Sequence, residues 1–144
     1  MKTKTLSENK LNHSQVLNPI IFKAYDIRGI YETELTLEGA VYIISEFVNK
    51  KKIKSLVLAH DFRNGSENIY KNTILLIQNK IKIFKVGLAT TPMLYYLTGH
   101  LEADAGIMIT ASHSPKEYNG LKIVGRDSYP ISGEEIKSLF FKNE

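Results

Sequence analysis

The sequence predicts an α/β layer fold built around a mostly buried sheet, and three observations carry that expectation. From Pro19 onward, strand-like and helix-like segments alternate, the order in which helices pack against a sheet. The strand-like pieces are short continuous apolar runs, as buried strands are, rather than half-polar alternations. The helix-like pieces carry apolar residues at helical spacing behind residues able to cap a first turn. The chain has 144 residues, 43% hydrophobic and 24% charged, which suits one domain with a core of its own.

Residues 1–18 read as a flexible N-terminal tail, since their Lys, Thr, Ser and Asn with scattered leucines follow no structural period. Residues 19–144 form the domain. Thr36 can cap a helix whose apolar face is Leu37, Ala40, Val41, Ile44, Phe47 and Val48. Ser55 to Ala59, SLVLA, reads as a strand. Ser66 is expected to cap a second helix with Ile69, Thr73, Leu76 and Ile77 on one face. Residues 81–86 form the next strand, ended by Gly87. Thr91-Pro92 starts a short helix, because proline at the first helical position loses no hydrogen bond, and Gly99 marks its stop. AGIMI (105–109) and LKIV (121–124) are two further strands. The link between them is too short for a helical crossover, so they pair antiparallel and the sheet is mixed. Ser132 and Glu135 make an S-x-x-E capping box before Ile136, Leu139 and Phe140.

Composition excludes several chemistries. With no cysteine there are no disulfides, zinc-thiolate sites or cysteine nucleophiles. No apolar run approaches the roughly 18 to 20 residues of a membrane span, and the start of the chain lacks the apolar block of a signal peptide. The expectation is a cytoplasmic protein without a membrane partner. A net charge of +4 and a pI near 9.2 raise a nucleic-acid reading. Only Arg28, Arg63 and Arg126 among 19 basic residues are arginine, and Lys50, Lys51, Lys52 and Lys54 follow a helix whose C-terminal dipole they complement. No nucleic-acid partner is expected; small anions remain possible ligands.

In open α/β sheets ligands gather beyond the carboxyl ends of the strands. SLVLA is followed there by His60, Asp61, Arg63 and Asn64, the 81–86 strand by Thr90 and Thr91, and AGIMI by Thr110-Ala111-Ser112-His113-Ser114-Pro115. Ser112, between small residues and before Pro115, suits an exposed rigid turn where it could act as a nucleophile, with His113 and Lys122 handling protons. A Ser/Thr-rich turn joining two strands is the plainer reading. A hydrolase triad fits less well, because G-x-S-x-G is absent and neighbouring Ser and His side chains usually diverge. Tyr25-Asp26-Ile27-Arg28-Gly29 offers a guanidinium suited to phosphate oxygens, or merely an Asp26–Arg28 surface pair at a turn. Neither a P-loop nor a G-x-G-x-x-G fingerprint occurs. His13 and His100 receive no role.

Four of these segments together resemble a known family. Phe22-Lys23-Ala24-Tyr25-Asp26-Ile27-Arg28-Gly29 resembles the F-x-x-Y-D-I-R-G segment of the α-D-phosphohexomutases, the phosphomannomutase/phosphoglucomutase family. TASHSP (110–115), followed by Tyr118-Asn119-Gly120-Leu121-Lys122, is similar to that family's phosphoserine loop T-A-S-H-N-P and Y-N-G-x-K. His60-Asp61-Phe62-Arg63 is similar to its G-R-D-x-R, and Thr91-Pro92 to its T-P helix start. The motifs occur in the family's order across residues 19–144. Ser114 stands where asparagine is usual, His60 where arginine is common, and Gly65-Ser66 replaces a Ser-Gly order.

The resemblance implies domain I of such an enzyme: a three-layer α/β/α domain with a mixed, mostly parallel sheet. It implies phosphoryl transfer between O1 and O6 of a hexose phosphate through a phosphoserine at Ser112. His113, Lys122 and Arg28 would complete the catalytic set, with Tyr25 near the sugar and Lys122 carrying a proton. A magnesium ion would bind Ser112 through its phosphate, and a hexose bisphosphate would serve as activator. The family's magnesium loop, D-G-D-x-D-R, belongs to its second domain, and Asp26, Asp61, Asp104 and Asp127 here form no such cluster. The remaining metal ligands, and many substrate contacts, are therefore expected from later domains of the same enzyme. The alternative is a truncated, non-catalytic relative that folds and binds a partner or a sugar phosphate.

Overall fold

The computed structural model describes residues 17–141. In chain order the elements are β1 (Ile27–Ile30), α1 (Leu37–Lys50), β2 (Ser55–His60), α2 (Ser66–Ile77), β3 (Lys82–Leu88), α3 (Thr91–His100), β4 (Ala105–Ile109), β5 (Tyr118–Val124), β6 (Pro130–Ile131) and α4 (Gly133–Lys137). The sheet order is β1-β5-β4-β2-β3, with β6 added along β5. β2 pairs in parallel with β3 and β4, whereas β5 runs antiparallel to β1, β4 and β6. Five strands thus share a direction and β5 alone is reversed, because residues 110–117 turn the chain straight back on itself.

Alternation along the strands divides the core between two faces. Leu56 and Leu58 of β2, Ile107 and Ile109 of β4, and Leu121 and Ile123 of β5 pack with Ile43, Ile44 and Phe47 of α1, Ile69 and Ile77 of α2, and Ile136 of α4. Val57, Ala59 and Met108 point the other way, against Leu94 of α3. The helices begun at Thr36, Ser66 and Ser132 therefore share one face and α3 covers the other, giving three layers. Each fully buried Ile, Leu or Phe contributes about 1.5–3 kcal/mol of apolar transfer, so α1, which buries Leu37, Ile43, Ile44 and Phe47, is the main support of its face.

The start signals act as expected in two helices. Thr36 Oγ1 accepts from Gly39 N at 2.9 Å, and Ser132 Oγ from Glu135 N at 3.1 Å. In α3 the cap is Thr90, whose hydroxyl accepts from Met93 N, one residue before the expected Thr91. The lysine run lies at the end of α1, where Lys50 meets Glu46 at 3.4 Å and Lys51 meets Glu135 at 3.3 Å.

Other expectations change. Ser66 does not cap α2: Gly65 holds the N-cap position, and the Ser66 hydroxyl donates to Asp61 Oδ1 at 2.7 Å. Gly87 does not end its strand. It sits within β3 with φ of +77°, at the bulge where the register against β2 slips. β5 starts three residues before LKIV, and β1 and β6 were not legible as strands. Leu17, expected in the tail, is buried at 7% exposure and reaches over Gly39, and Asn18 accepts from Ile20 N. The rest of that tail, with His13, lies outside the described residues. Among the described residues no helix is long and apolar enough to cross a membrane.

Candidate functional site

Strand β4 delivers the serine-bearing loop. Thr110 N still donates to Gly120 O at 2.9 Å, closing the ladder, and its hydroxyl then accepts from Ser112 N at 2.9 Å. Ser112 follows with φ of +57°, a left-handed conformation that an L-residue holds only where its surroundings impose it. The residue is exposed, and its Oγ lies 3.4 Å from His113 Nδ1, so this neighbouring pair converges after all. Two turns close the loop, from Ser114 N to Ala111 O and from Tyr118 N to Pro115 O.

Arg28 reaches this loop from the far end of the sequence. On β1 it lies opposite Gly120 of β5, where a Cβ would come within 2.0 Å of Ile27 O and 3.0 Å of Arg28 Cγ. Only glycine lets the arginine stem cross. Its Nε donates to Asp26 Oδ1 at 2.9 Å and its Nη1 to Ser114 Oγ at 3.0 Å. Lys122 Nζ lies 3.4 Å from the other Asp26 oxygen. Asp26 is only 3% exposed, so it forms no surface pair: it is a buried carboxylate holding two cations in place. From α3, Tyr95 comes close enough that burial first, and the Asp26 charge second, raise its phenol above the ordinary value. Tyr25 stands 85% exposed beside this group.

Arg63 received no role from its sequence position, yet it makes the most contacts to the loop. Its Nη1 donates to Pro115 O at 2.8 Å and Tyr118 O at 3.2 Å, and its Nη2 to Ser112 O and Ser114 O, both at 2.6 Å. Its Nε faces Asp61 Oδ2 at 3.5 Å. Asp61 Oδ1 accepts from Arg63 N and Ser66 Oγ, and Ser66 Oγ accepts in turn from the fully buried Asn119 Nδ2 at 3.0 Å. Asn119 Nδ2 also donates to Asn64 O. This chain ties the β2–α2 loop to β5 beneath the serine. The sequence signal for it was an Asp-x-Arg at the carboxyl end of a predicted strand.

The third strand end contributes differently, since the Thr90 hydroxyl is taken by the α3 cap. His60 Nδ1 lies 2.8 Å from Asp61 O, with its ring against Tyr70, and His100 stacks on Tyr96. An open groove of about 760 Å³ runs beside the loop between Phe62, Arg63, Asn64, Ser114 and Lys116, with Phe62 90% exposed at its edge. Among the described residues no three His, Asp or Glu side chains group so as to hold a metal. Asp26 and Asp61 are already engaged by cations and donors. The described side chains therefore do not make a magnesium cage.

Fold and site together define an α/β/α domain whose serine loop projects from the carboxyl end of the central strands beside paired cations. Residues 19–144 match the family described as phosphoglucomutase/phosphomannomutase, alpha/beta/alpha domain I. The chain is 38% identical over 127 residues to a phosphomannomutase of Methanocaldococcus jannaschii, covering 87% of this chain and 28% of that protein. It is 40% identical over 124 residues to a phosphoglucomutase of Neisseria gonorrhoeae, covering 83% of this chain and 26% of that one. A crystal structure of a phosphoglucomutase/phosphomannomutase family protein from Burkholderia thailandensis superposes with a TM-score of 0.74 at 28% identity, over 87% of this chain and 30% of that one. The chain belongs to the phosphoglucomutase/phosphomannomutase family, as its domain I. It spans little more than a quarter of the length of these relatives.

Proposed function

We propose that this chain is the phosphoserine domain of a cytoplasmic phosphohexomutase. In this reading the phosphoryl group on Ser112 Oγ passes to a free hydroxyl of a hexose phosphate, whose proton leaves to a nearby base. The resulting bisphosphate reorients, and the phosphoryl group at its other end returns to Ser112, so that phosphate moves between O1 and O6. The observation that carries the proposal is the exposed, left-handed Ser112 on a loop that Arg28 contacts through Ser114, with Lys122 paired to the same Asp26 that holds Arg28.

Phosphoryl transfer asks a protein for positioning and charge neutralisation more than for covalent chemistry. A phosphoserine carries about −1.5 to −2 charges. Arg28 and Lys122 supply fixed positive charge, held by Asp26 so that little reorganisation accompanies the transfer. Lys122 is the proton carrier in this scheme, His113 lies against Ser112 Oγ, and Tyr25 presents an exposed ring to the sugar. Magnesium, when bound through the phosphate of Ser112 with ligands from later domains, would add charge neutralisation. Whether mannose or glucose phosphate is preferred would rest with those domains, and the relatives above carry both names.

The test is mass spectrometry after incubating the protein with a hexose 1,6-bisphosphate. Phosphate should appear on Ser112 and be lost in Ser112→Ala. Modification that persists in the variant, or none in the parent, would overturn the proposal.

A further inference from the structure

We infer that Arg63 is the positioning residue of the Ser112 loop: its guanidinium gathers the carbonyls of Ser112, Ser114, Pro115 and Tyr118 and so imposes the left-handed backbone at Ser112. The inference deepens the phosphoserine reading and rests on it for the meaning of Ser112, but its geometry stands apart from that reading.

A guanidinium has five N–H donors in a rigid fork. Here Nη1 and Nη2 serve four backbone oxygens at 2.6–3.2 Å, while Nε faces Asp61. With its donors committed to the backbone, Arg63 is not a phosphate ligand. Its side chain is only 15% exposed, and its bonds to Ser114 O and Tyr118 O are partly buried while those to Ser112 O and Pro115 O lie at the surface. Four carbonyl dipoles that would otherwise be free to face a phosphoserine dianion are turned toward one cation.

The backbone at Ser112 needs such an anchor. A positive φ in a non-glycine residue is strained and persists where neighbouring contacts over-determine it. Two contacts bracket Ser112: Thr110 Oγ1 on its N–H and Arg63 Nη2 on its C=O. Arg63 is itself fixed by Asp61, and Asp61 by the Ser66 hydroxyl, which in turn accepts from the buried Asn119. The β2–α2 loop thereby sets the position of a nucleophile carried on the β4–β5 loop.

The test compares the parent with Arg63→Ala and Arg63→Lys. Thermal melting monitors the fold, amide hydrogen exchange and NMR relaxation monitor residues 110–118, and the rate of Ser112 phosphorylation by a hexose bisphosphate monitors alignment. Arg63→Ala should raise exchange and mobility in 110–118 while the amides of β2 and β4 stay protected. Its phosphorylation should slow by roughly a hundredfold, the usual scale for misplacing a reacting atom by about 1 Å. Added guanidinium ion should restore part of the rate, which a general loss of packing would not allow. Arg63→Lys should behave like the alanine variant, because one ammonium cannot span four carbonyls. If Arg63→Ala fails to fold, the lysine variant carries the comparison. A loop as ordered as the parent's in a folded variant, or an unchanged phosphorylation rate, would overturn the inference. If the parent itself is not phosphorylated, the phosphoserine reading fails while exchange and relaxation still decide the role of Arg63.

Discussion

Asp26, Arg63 and Thr73 show how differently a buried polar group can be used. Asp26 satisfies its charge with Arg28 and Lys122, and Arg63 commits its donors to backbone oxygens. Thr73, on the inner face of α2, has a buried hydroxyl with no hydrogen-bond partner. A buried donor left unmade costs more than an apolar group of the same shape. Thr73→Val should therefore raise stability by about 1 kcal/mol, read as a shift in the denaturation midpoint with an unchanged slope. A lower midpoint would mean that the hydroxyl is satisfied after all. Arg63 was visible as a residue, but its role was not, because its partners are carbonyl oxygens that carry no side-chain signature. The Ser114 that replaces the family's asparagine is itself a contact point, since Arg28 donates to its hydroxyl.

At the scale of elements, local capping signals were legible where one side chain met its own helix, as at Thr36 and Ser132. They failed where a distant residue competed, as Asp61 does for the Ser66 hydroxyl. Strand β1 was hidden because it is short and contains Arg28 and Gly29; it exists through pairing with β5. The start of β2 has its own cap: Asp104 accepts from Lys54 N at 2.9 Å and Ser55 N at 3.2 Å and meets Arg126 at 2.7 Å. The Lys54 hydrogen bond leads in holding its carboxyl below the ordinary value of 3.8, assisted by Arg126 and Ser55 and opposed by partial burial. A lowered folded-state value means stability that is present above the unfolded value and lost as pH falls through the folded one. Asp104→Asn should therefore be less stable than the parent near neutrality and converge with it in acid. Melting curves taken from about pH 6 down to about pH 2.5 check this; a constant gap across that range would contradict it.

For the molecule as a whole, the decisive fact is that domain I supplies a serine loop and paired cations but, among its described residues, no metal-holding cluster. A single phosphoserine would hold magnesium weakly without carboxylates beside it, and sugar contacts expected from later domains would be missing. The isolated 144-residue chain should accordingly undergo only slow, stoichiometric phosphorylation of Ser112 by a hexose bisphosphate and show no sustained turnover of mannose or glucose phosphate in a coupled assay, even with magnesium present. Turnover abolished by Ser112→Ala would show that the short chain is an enzyme by itself. The sequence determined what depends on neighbours along the chain: the α/β layering, the apolar face of α1, the bounds of β4, the antiparallel return after a short link, and a serine on a turn. Resemblance in four ordered motifs then drew Tyr25, Arg28, Ser112, His113 and Lys122 into one expected site. Tertiary structure alone decided that Asp26 is buried between two cations, that Gly120 leaves room for Arg28, and that Arg63 holds the Ser112 loop. The Arg63 and Gly120 contacts join residues some 50 to 90 positions apart through backbone atoms and the absence of a side chain, and Asp26 meets Lys122 from the other end of the domain; none of these leaves a period or a spacing for local physics to read.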